Sequence, residues 1–252
     1  MADKSFLVDT SKCTACRGCQ VACKQWNKLG TEDTVNWGSH QNPPDLSSTC
    51  YKVVRFNETE VASRPVWLFF PDQCRHCLEP PCKEAADAQV KDAILKDEAT
   101  GAVIYTDKTK KLKAKDILDA CPYNIPRVDK KTKLLVKCTM CFDRVKNGML
   151  PACVKTCPTG AMSFGDRNEV LDQAQKRLAE VKKKYPQASL LDADDLRVVY
   201  LVLEDRKLYH KFAAAEGRGI SRQAALRKLF KPFTTVAAAT AVFGGMVQDT
   251  HR

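Results

Sequence analysis

The chain has 252 residues, 44% of them hydrophobic, enough to bury the core of one large or two small domains. Its 41 lysines and arginines against 30 aspartates and glutamates give a formal charge of +11, and its 13 cysteines far exceed ordinary usage. A chain of this length is no short secreted disulfide scaffold, and no run reaches the roughly 18 apolar residues of a membrane span.

Met1 to Asp9 lacks a basic stretch followed by an apolar one, so no signal peptide is expected. Phe6-Leu7-Val8-Asp9 reads as a short strand, and Cys19 to Asn27 as the helix leaving the cysteine loop that follows it. Residues 28–48 are polar and carry Gly30, Gly38, Pro43 and Pro44, the marks of a long surface excursion. Cys50 to Phe56, Val66 to Phe70 and Ala102 to Tyr105 are predicted strands; Ala114 to Ala120 is a short helix ended by Cys121-Pro122. Leu134-Leu135-Val136 leads into the last cysteine run, and Ala161 to Phe164 closes it. Asp166-x2-Glu169 has the form of a capping box, opening a helix with Leu171, Ala174, Leu178 and Val181 on one face that stops before Pro186. Val198 to Leu203 is a buried-type strand. Beyond Lys207 basic and apolar residues mix around Pro232, and Arg218 to Val247 is expected to form an arm that docks on a partner.

The first cysteine run, Cys13-x2-Cys16-x2-Cys19-x3-Cys23, has the ligand spacing of a bacterial ferredoxin-type 4Fe–4S site. Three thiols in a tight loop grip one cubane, and in two-cluster ferredoxins the fourth ligates the other cluster. The reciprocal run is Cys138-x2-Cys141-x11-Cys153-x3-Cys157-Pro158. Zinc sites pair two C-x2-C knuckles and have no use for a third and fourth cysteine at this spacing, so a zinc-binding assembly or nucleic-acid module is the disfavoured alternative. The lysines of 108–115, 130–133 and 182–184 form separate patches. Three four-thiolate clusters, each of about −2, would also bring the charge to about +5, so no nucleic-acid partner is expected.

An internal repeat qualifies the count. Asp9 precedes Cys13 by four residues and Cys23 by fourteen, as Asp107 precedes Lys111 and Cys121. The second copy therefore carries Lys111, Ala114 and Ile117 where three cysteines are expected. The run Cys74-x2-Cys77-x4-Cys82 has Ala86 where its fourth would fall. Under crossed ligation those four positions are a single cluster site, lost as a unit. The remaining twelve cysteines divide into Cys13, Cys16, Cys19 with Cys157; Cys23 with Cys138, Cys141, Cys153; and Cys74, Cys77, Cys82 with Cys121. The replaced positions should converge on one spot filled by side chains, with Lys111 turned to solvent, at an end of the row of clusters or beside it. Cys50 is left over, read as a small semi-buried thiol in a strand. His76 either bonds a cluster sulfur or packs in its loop, and Trp26, Trp37 and Trp67 read as core or interface. No dinucleotide fingerprint, P-loop, HExxH or nucleophile elbow is present, so the chain is read as an electron carrier rather than a catalyst.

Trp67-x6-Cys74-x-His76-Cys77-x2-Pro80-Pro81-Cys82, Cys121-Pro122-Tyr123 and Cys138-Thr-Met-Cys141-Phe-Asp-Arg144 resemble the iron–sulfur subunits of molybdopterin oxidoreductases, over residues 4–165. Cys13 to Trp26 and His40-Gln-Asn-Pro-Pro-Asp45 are similar to the small subunit of formate dehydrogenases, above all the tungsten- or molybdenum-dependent type of sulfate-reducing bacteria. The resemblance implies a heterodimer with a large catalytic subunit holding molybdopterin or tungstopterin and a further cluster. It implies a complex that oxidises formate or reduces CO2, and a redox partner such as a multihaem cytochrome c or a ferredoxin-like carrier. A polysulfide, thiosulfate or nitrate reductase is the alternative within this class. Periplasmic location is implied, by export with the partner subunit's twin-arginine signal, with a cytoplasmic location as the alternative. The fourth cluster and C-terminal transmembrane helix of membrane-anchored members are missing, the helix reduced to the apolar stretch Thr234 to Val247, so no membrane span is expected. The fold class is read as α+β: ferredoxin-like dicluster modules over 1–62 with 129–165 (two clusters) and over an inserted 63–128 (one cluster and a vacant site). A helix–strand extension and helical arm would follow over 166–252.

Overall fold

The computed structural model describes residues 3–215; the expected arm over Arg218 to Val247 lies outside the described residues. The elements, in chain order, are β1 (Lys4–Asp9), α1 (Gly18–Trp26), β2 (Val53–Val61), β3 (Arg64–Asp72), α2 (Pro81–Asp87), β4 (Ile94–Lys96), β5 (Val103–Tyr105) and α3 (Ala114–Asp119). They continue with β6 (Arg127–Val128), β7 (Leu135–Val136), α4 (Phe142–Lys146), α5 (Ala152–Lys155), β8 (Met162–Asp166), α6 (Arg167–Lys182), β9 (Ser189–Leu191) and β10 (Val198–Val202). The fold is α+β, as the sequence suggests.

Side chains alternate across a strand, so an apolar run buries two faces at once. Phe6 and Val8 of β1, with Val198, Tyr200 and Val202 of β10, enter one cluster together with Ala15, Cys19, Cys153 and Met162. Leu7, Val199 and Leu201 point the other way, onto Val170, Ala174 and Val181 of α6. The sheet order is β8-β1-β10-β9. Phe6 pairs with Phe164 in antiparallel β8 and with Val198 in parallel β10. The strand expected in an extension beyond residue 166 is thus an inner strand of this sheet. The cysteine loops lie on one face and α6 covers the other.

The capping box is not formed. Asp166 makes no side-chain cap; its carboxylate is ion-paired with the ammonium of Lys4, its register partner across β1 and β8. β2 and β3 form a hairpin in register from Val53 opposite Asp72 to Val61 opposite Arg64. β2 starts at Val53 rather than Cys50, because Cys50 closes an isolated bridge with Ser47. The module boundary expected at 62/63 falls in the hairpin turn, where Ala62 and Ser63 have φ of 50° and 59°. Trp26, Trp37 and Trp67 are all exposed, so none belongs to the core. No helix among the described residues is long and apolar enough to cross a membrane.

Candidate metal centres

The first C-x2-C turn of each of the three cysteine runs uses the same backbone device. The residue before the second cysteine is left-handed in each: Ala15 at φ 54°, His76 at 46° and Met140 at 63°. That turn aims its N–H back at the first thiol. The His76 amide donates to Cys74 Sγ and the Met140 amide to Cys138 Sγ, both at 3.4 Å, and the Ala15 amide acts on Cys13 in the same sense. Successive amides turned inward make a concave anion site.

These turns bring together the sets of four expected from crossed ligation. Cys13, Cys16, Cys19 and Cys157 border one cavity. Cys74, Cys77, Cys82 and Cys121 border another. Between α1 and α5, which pack together, the Cys23 thiol is held far above its ordinary pKa by burial and then by repulsion from Cys138, Cys153 and Cys141. The sets form a row. Cys19 acts electrostatically on Cys153, linking the Cys13 and Cys23 sets, and Cys74 acts on Cys138, linking the Cys23 and Cys74 sets. Among the described residues no three His, Cys, Asp or Glu side chains close on a single-ion position.

Burial pushes Cys13 up to about 11 and Cys121, Cys138 and Cys153 up to about 12. Such thiols stay protonated until a metal displaces the proton. Cys157 differs. Its partial burial is outweighed by the Thr159 hydroxyl and the amides of Met162, Ala161 and Thr159, and its pKa falls below that of an ordinary thiol. Cys50 stands outside all three sets; it is buried and its thiol donates to the Lys52 carbonyl at 3.1 Å.

The replaced positions also meet. Ala86 and Ile117, both fully buried, join Ala93, Ile94, Val103, Leu112 and Leu135 in one apolar cluster, with Ala114, Cys82 and Tyr105 against it. Lys111 is exposed, as expected. Its neighbour Leu112, which the repeat did not single out, points inward instead. This filled site adjoins Cys82, in the set at one end of the row.

Sequence reasoning missed four residues around these thiols. Lys52 and Lys137 are buried lysines, and Tyr105 is a half-buried tyrosine whose buried hydroxyl lies against the Cys82 thiol. Arg75, also buried, lines the Cys74 cavity. The adjacency of Lys137 to Cys138 was a usable signal. Lys52 offered none, since a lysine beside an alternating strand reads as solvated. His76 is resolved in part: Nδ1 accepts from the Val103 amide at 3.0 Å, and Nε2 is buried without a partner. Twelve soft donors in sets of four, with inward amides and an orphaned hydroxyl at one cavity wall, fit 4Fe–4S clusters.

Residues 65–167 match the 4Fe–4S dicluster domain family. The chain is 54% identical over 214 residues to the formate dehydrogenase 2 subunit beta (cytochrome c-553) of Nitratidesulfovibrio vulgaris, covering 83% of this chain and 98% of that one. It is 53% identical over 213 residues to the formate dehydrogenase subunit beta of Megalodesulfovibrio gigas, covering 84% and 99%. The chain belongs to the family of formate dehydrogenase iron–sulfur subunits. The iron–sulfur subunit of the nitrate-inducible formate dehydrogenase of Escherichia coli is 38% identical over 215 residues, with 83% of this chain and 72% of that one covered. As a member, the chain is a 4Fe–4S electron-transfer subunit of an oxidoreductase complex, and the catalysis belongs to another subunit.

Proposed function

We propose that this chain holds three 4Fe–4S clusters in a row and passes electrons between the metal–pterin catalytic subunit of a formate dehydrogenase and an external carrier. One observation carries the reading: twelve cysteines, distant in sequence, gather into three sets of four. A 4Fe–4S cluster exchanges single electrons at a potential set by its charge, hydrogen bonds and exposure. The chain's own residues supply those terms. Inward amides donate to sulfur, the sheet and loops exclude water, and a filled fourth site shortens the row at its end.

The cytochrome named for the N. vulgaris relative supports a c-type cytochrome as carrier, and the reading places the complex in the periplasm, reached by export with the catalytic subunit. The cysteine loops divide between ferredoxin-like modules of 1–62 with 129–165 and of 63–128, with the β2–β3 hairpin bridging them. The test is iron and acid-labile sulfide in the purified native complex. About twelve irons should belong to this chain, four per cubane. About sixteen, about eight, or zinc in place of iron would refute the assignment.

A further inference from the structure

Lys52 and Lys137 are almost wholly buried, at 1% and 5% exposure. Taking an ammonium out of water costs several kcal/mol unless an opposite charge answers it. Neither has a carboxylate partner among the described residues. Lys52 Nζ donates to the Pro71 carbonyl at 3.3 Å and to Gln73 Oε1 at 2.5 Å. Lys137 Nζ donates to the carbonyls of Val103 and, at 3.0 Å, Cys138, and sits 4.7 Å from the Tyr105 ring centroid. Carbonyls and an amide satisfy hydrogen bonds but do not neutralise a charge.

The positions of the two ammoniums supply the missing partner. Pro71, the acceptor of Lys52, walls the Cys13 cavity, and the Lys52 charge acts on Cys13 and Cys19 of one set and on Cys23, Cys141 and Cys153 of the next. Lys137 lines the Cys74 cavity, and its charge acts on Cys82 of that set and on Cys138 of the middle one. One unpaired cation therefore lies at each of the two junctions in the row. The other buried cations at this end of the sheet already have carboxylates, Arg55 pairing with Asp72 and Asp45 and Arg75 with Asp72, and the Arg75 charge acts on Cys77 of the end set rather than across a junction.

We propose that Lys52 and Lys137 are electrostatic bridges, each a fixed positive charge shared by two neighbouring clusters, which it holds at higher potential than the thiolates alone would allow. The inference rests on the three-cluster reading above. Each ammonium is stabilised by the net negative charge of the clusters it separates. It favours the reduced, more negative state of both, so an electron crossing the junction stays within its field throughout. No proton moves with the electron. These are positioning residues for charge, not ligands.

The test is redox titration of the holo-complex, followed by electron paramagnetic resonance, for wild type, K52M and K137M. Each variant should lower the potentials of two of the chain's three transitions and leave the third, and one lowered transition should be common to both variants. A tenfold change in the oxidised-to-reduced ratio at fixed potential, 59 mV for a one-electron couple, is the expected scale. Fully loaded variants with unchanged potentials, or with all three shifted alike, would overturn the proposal. If a methionine variant fails to load iron, K52R or K137R decides. Full loading at unshifted potentials supports a charge requirement; failure to load, or a shift as large as that expected for methionine, overturns it. A wild-type iron count other than about twelve would instead defeat the three-cluster reading, independently of any shift.

Discussion

The guanidinium of Arg75 donates to Asp72 Oδ1 at 2.9 Å, and both side chains are sealed from solvent. Asp72 also accepts from Arg55 Nε at 2.9 Å, so one carboxylate at the end of β3 answers two buried guanidiniums. Arg75 stands between Cys74 and Cys77, stacked within 4.6 Å of the Tyr200 ring on β10. The ion network thus ties a cysteine turn to the central sheet. Asp72→Asn removes the charge and keeps the shape, leaving Arg75 without its carboxylate and Arg55 with Asp45 alone. Breaking such a pair costs about 3–5 kcal/mol. The holo-complex should lose its cluster absorbance at clearly lower urea concentration than wild type; an unchanged midpoint would show that the arginines are answered elsewhere.

His210 gives the stability a pH dependence. Burial lowers its pKa, and the nearby Arg55 lowers it further, against smaller opposing effects of Asp72 and Asp45. Its Nδ1 is buried without a partner. A histidine depressed in the fold is neutral there and binds a proton more readily when unfolded. Its contribution is full above the ordinary histidine pKa of about 6.5 and drains away as pH falls through the lower folded value. Thermal stability should therefore drop between neutral and mildly acidic pH, and His210→Asn should flatten that drop. Parallel pH curves for wild type and variant would exclude the role.

Ile117 occupies volume that a cubane would otherwise take. It is fully buried on α3 among Ala86, Leu112 and Leu135. Ile117→Ala should destabilise by about 2–5 kcal/mol, because the surrounding side chains relax only partly into the gap. Ala86→Cys should leave the iron content unchanged, since the facing positions are Ala114, Ile117 and Leu112 rather than thiols. An increase of about four irons in A86C would show that a latent site persists.

Cys121→Ser tests the independence of the end set. Cys121 borders the Cys74 cavity, beside Tyr123 and Ile125. The variant should lose about four irons or retain a three-iron cluster, while the resonance signals of the other two sets persist. Loss of all iron would mean that the three sets assemble only together.

Much of the site was legible because cysteine spacing is a local code. A tight turn with three thiols has few geometries, and crossed ligation follows from a fourth cysteine lying on the helix beyond its own loop. The filled site was legible for the same reason, through the phase of Asp107 against Asp9, although the phase slipped by one at Leu112. What stayed hidden is non-local. Nothing near Val198 says that β10 lies beside β1, and nothing near Lys52 says that its ammonium sits between cysteine sets. The carboxylate of Asp166 was read as a cap because its neighbours allow one, yet Lys4 claims it across the sheet. Helices α4 and α5, of five and four residues, are too short for hydrophobic periodicity to reveal.

The parallel pairing of Phe6 with Val198 sets a timetable for biogenesis. The first cysteine loop leaves the ribosome early, but the sheet that backs it lacks an inner strand until almost the whole described chain has been made. Contacts this remote in sequence form late. Until then Phe6 and Val8 stay uncovered and Cys13, Cys16 and Cys19 wait on an open edge, without Cys157 or the β10 wall. The first cysteine loop thus gains its complete backing late, and a chain cut short before Val198 would present hydrophobic strand and bare thiols rather than a partly working wire.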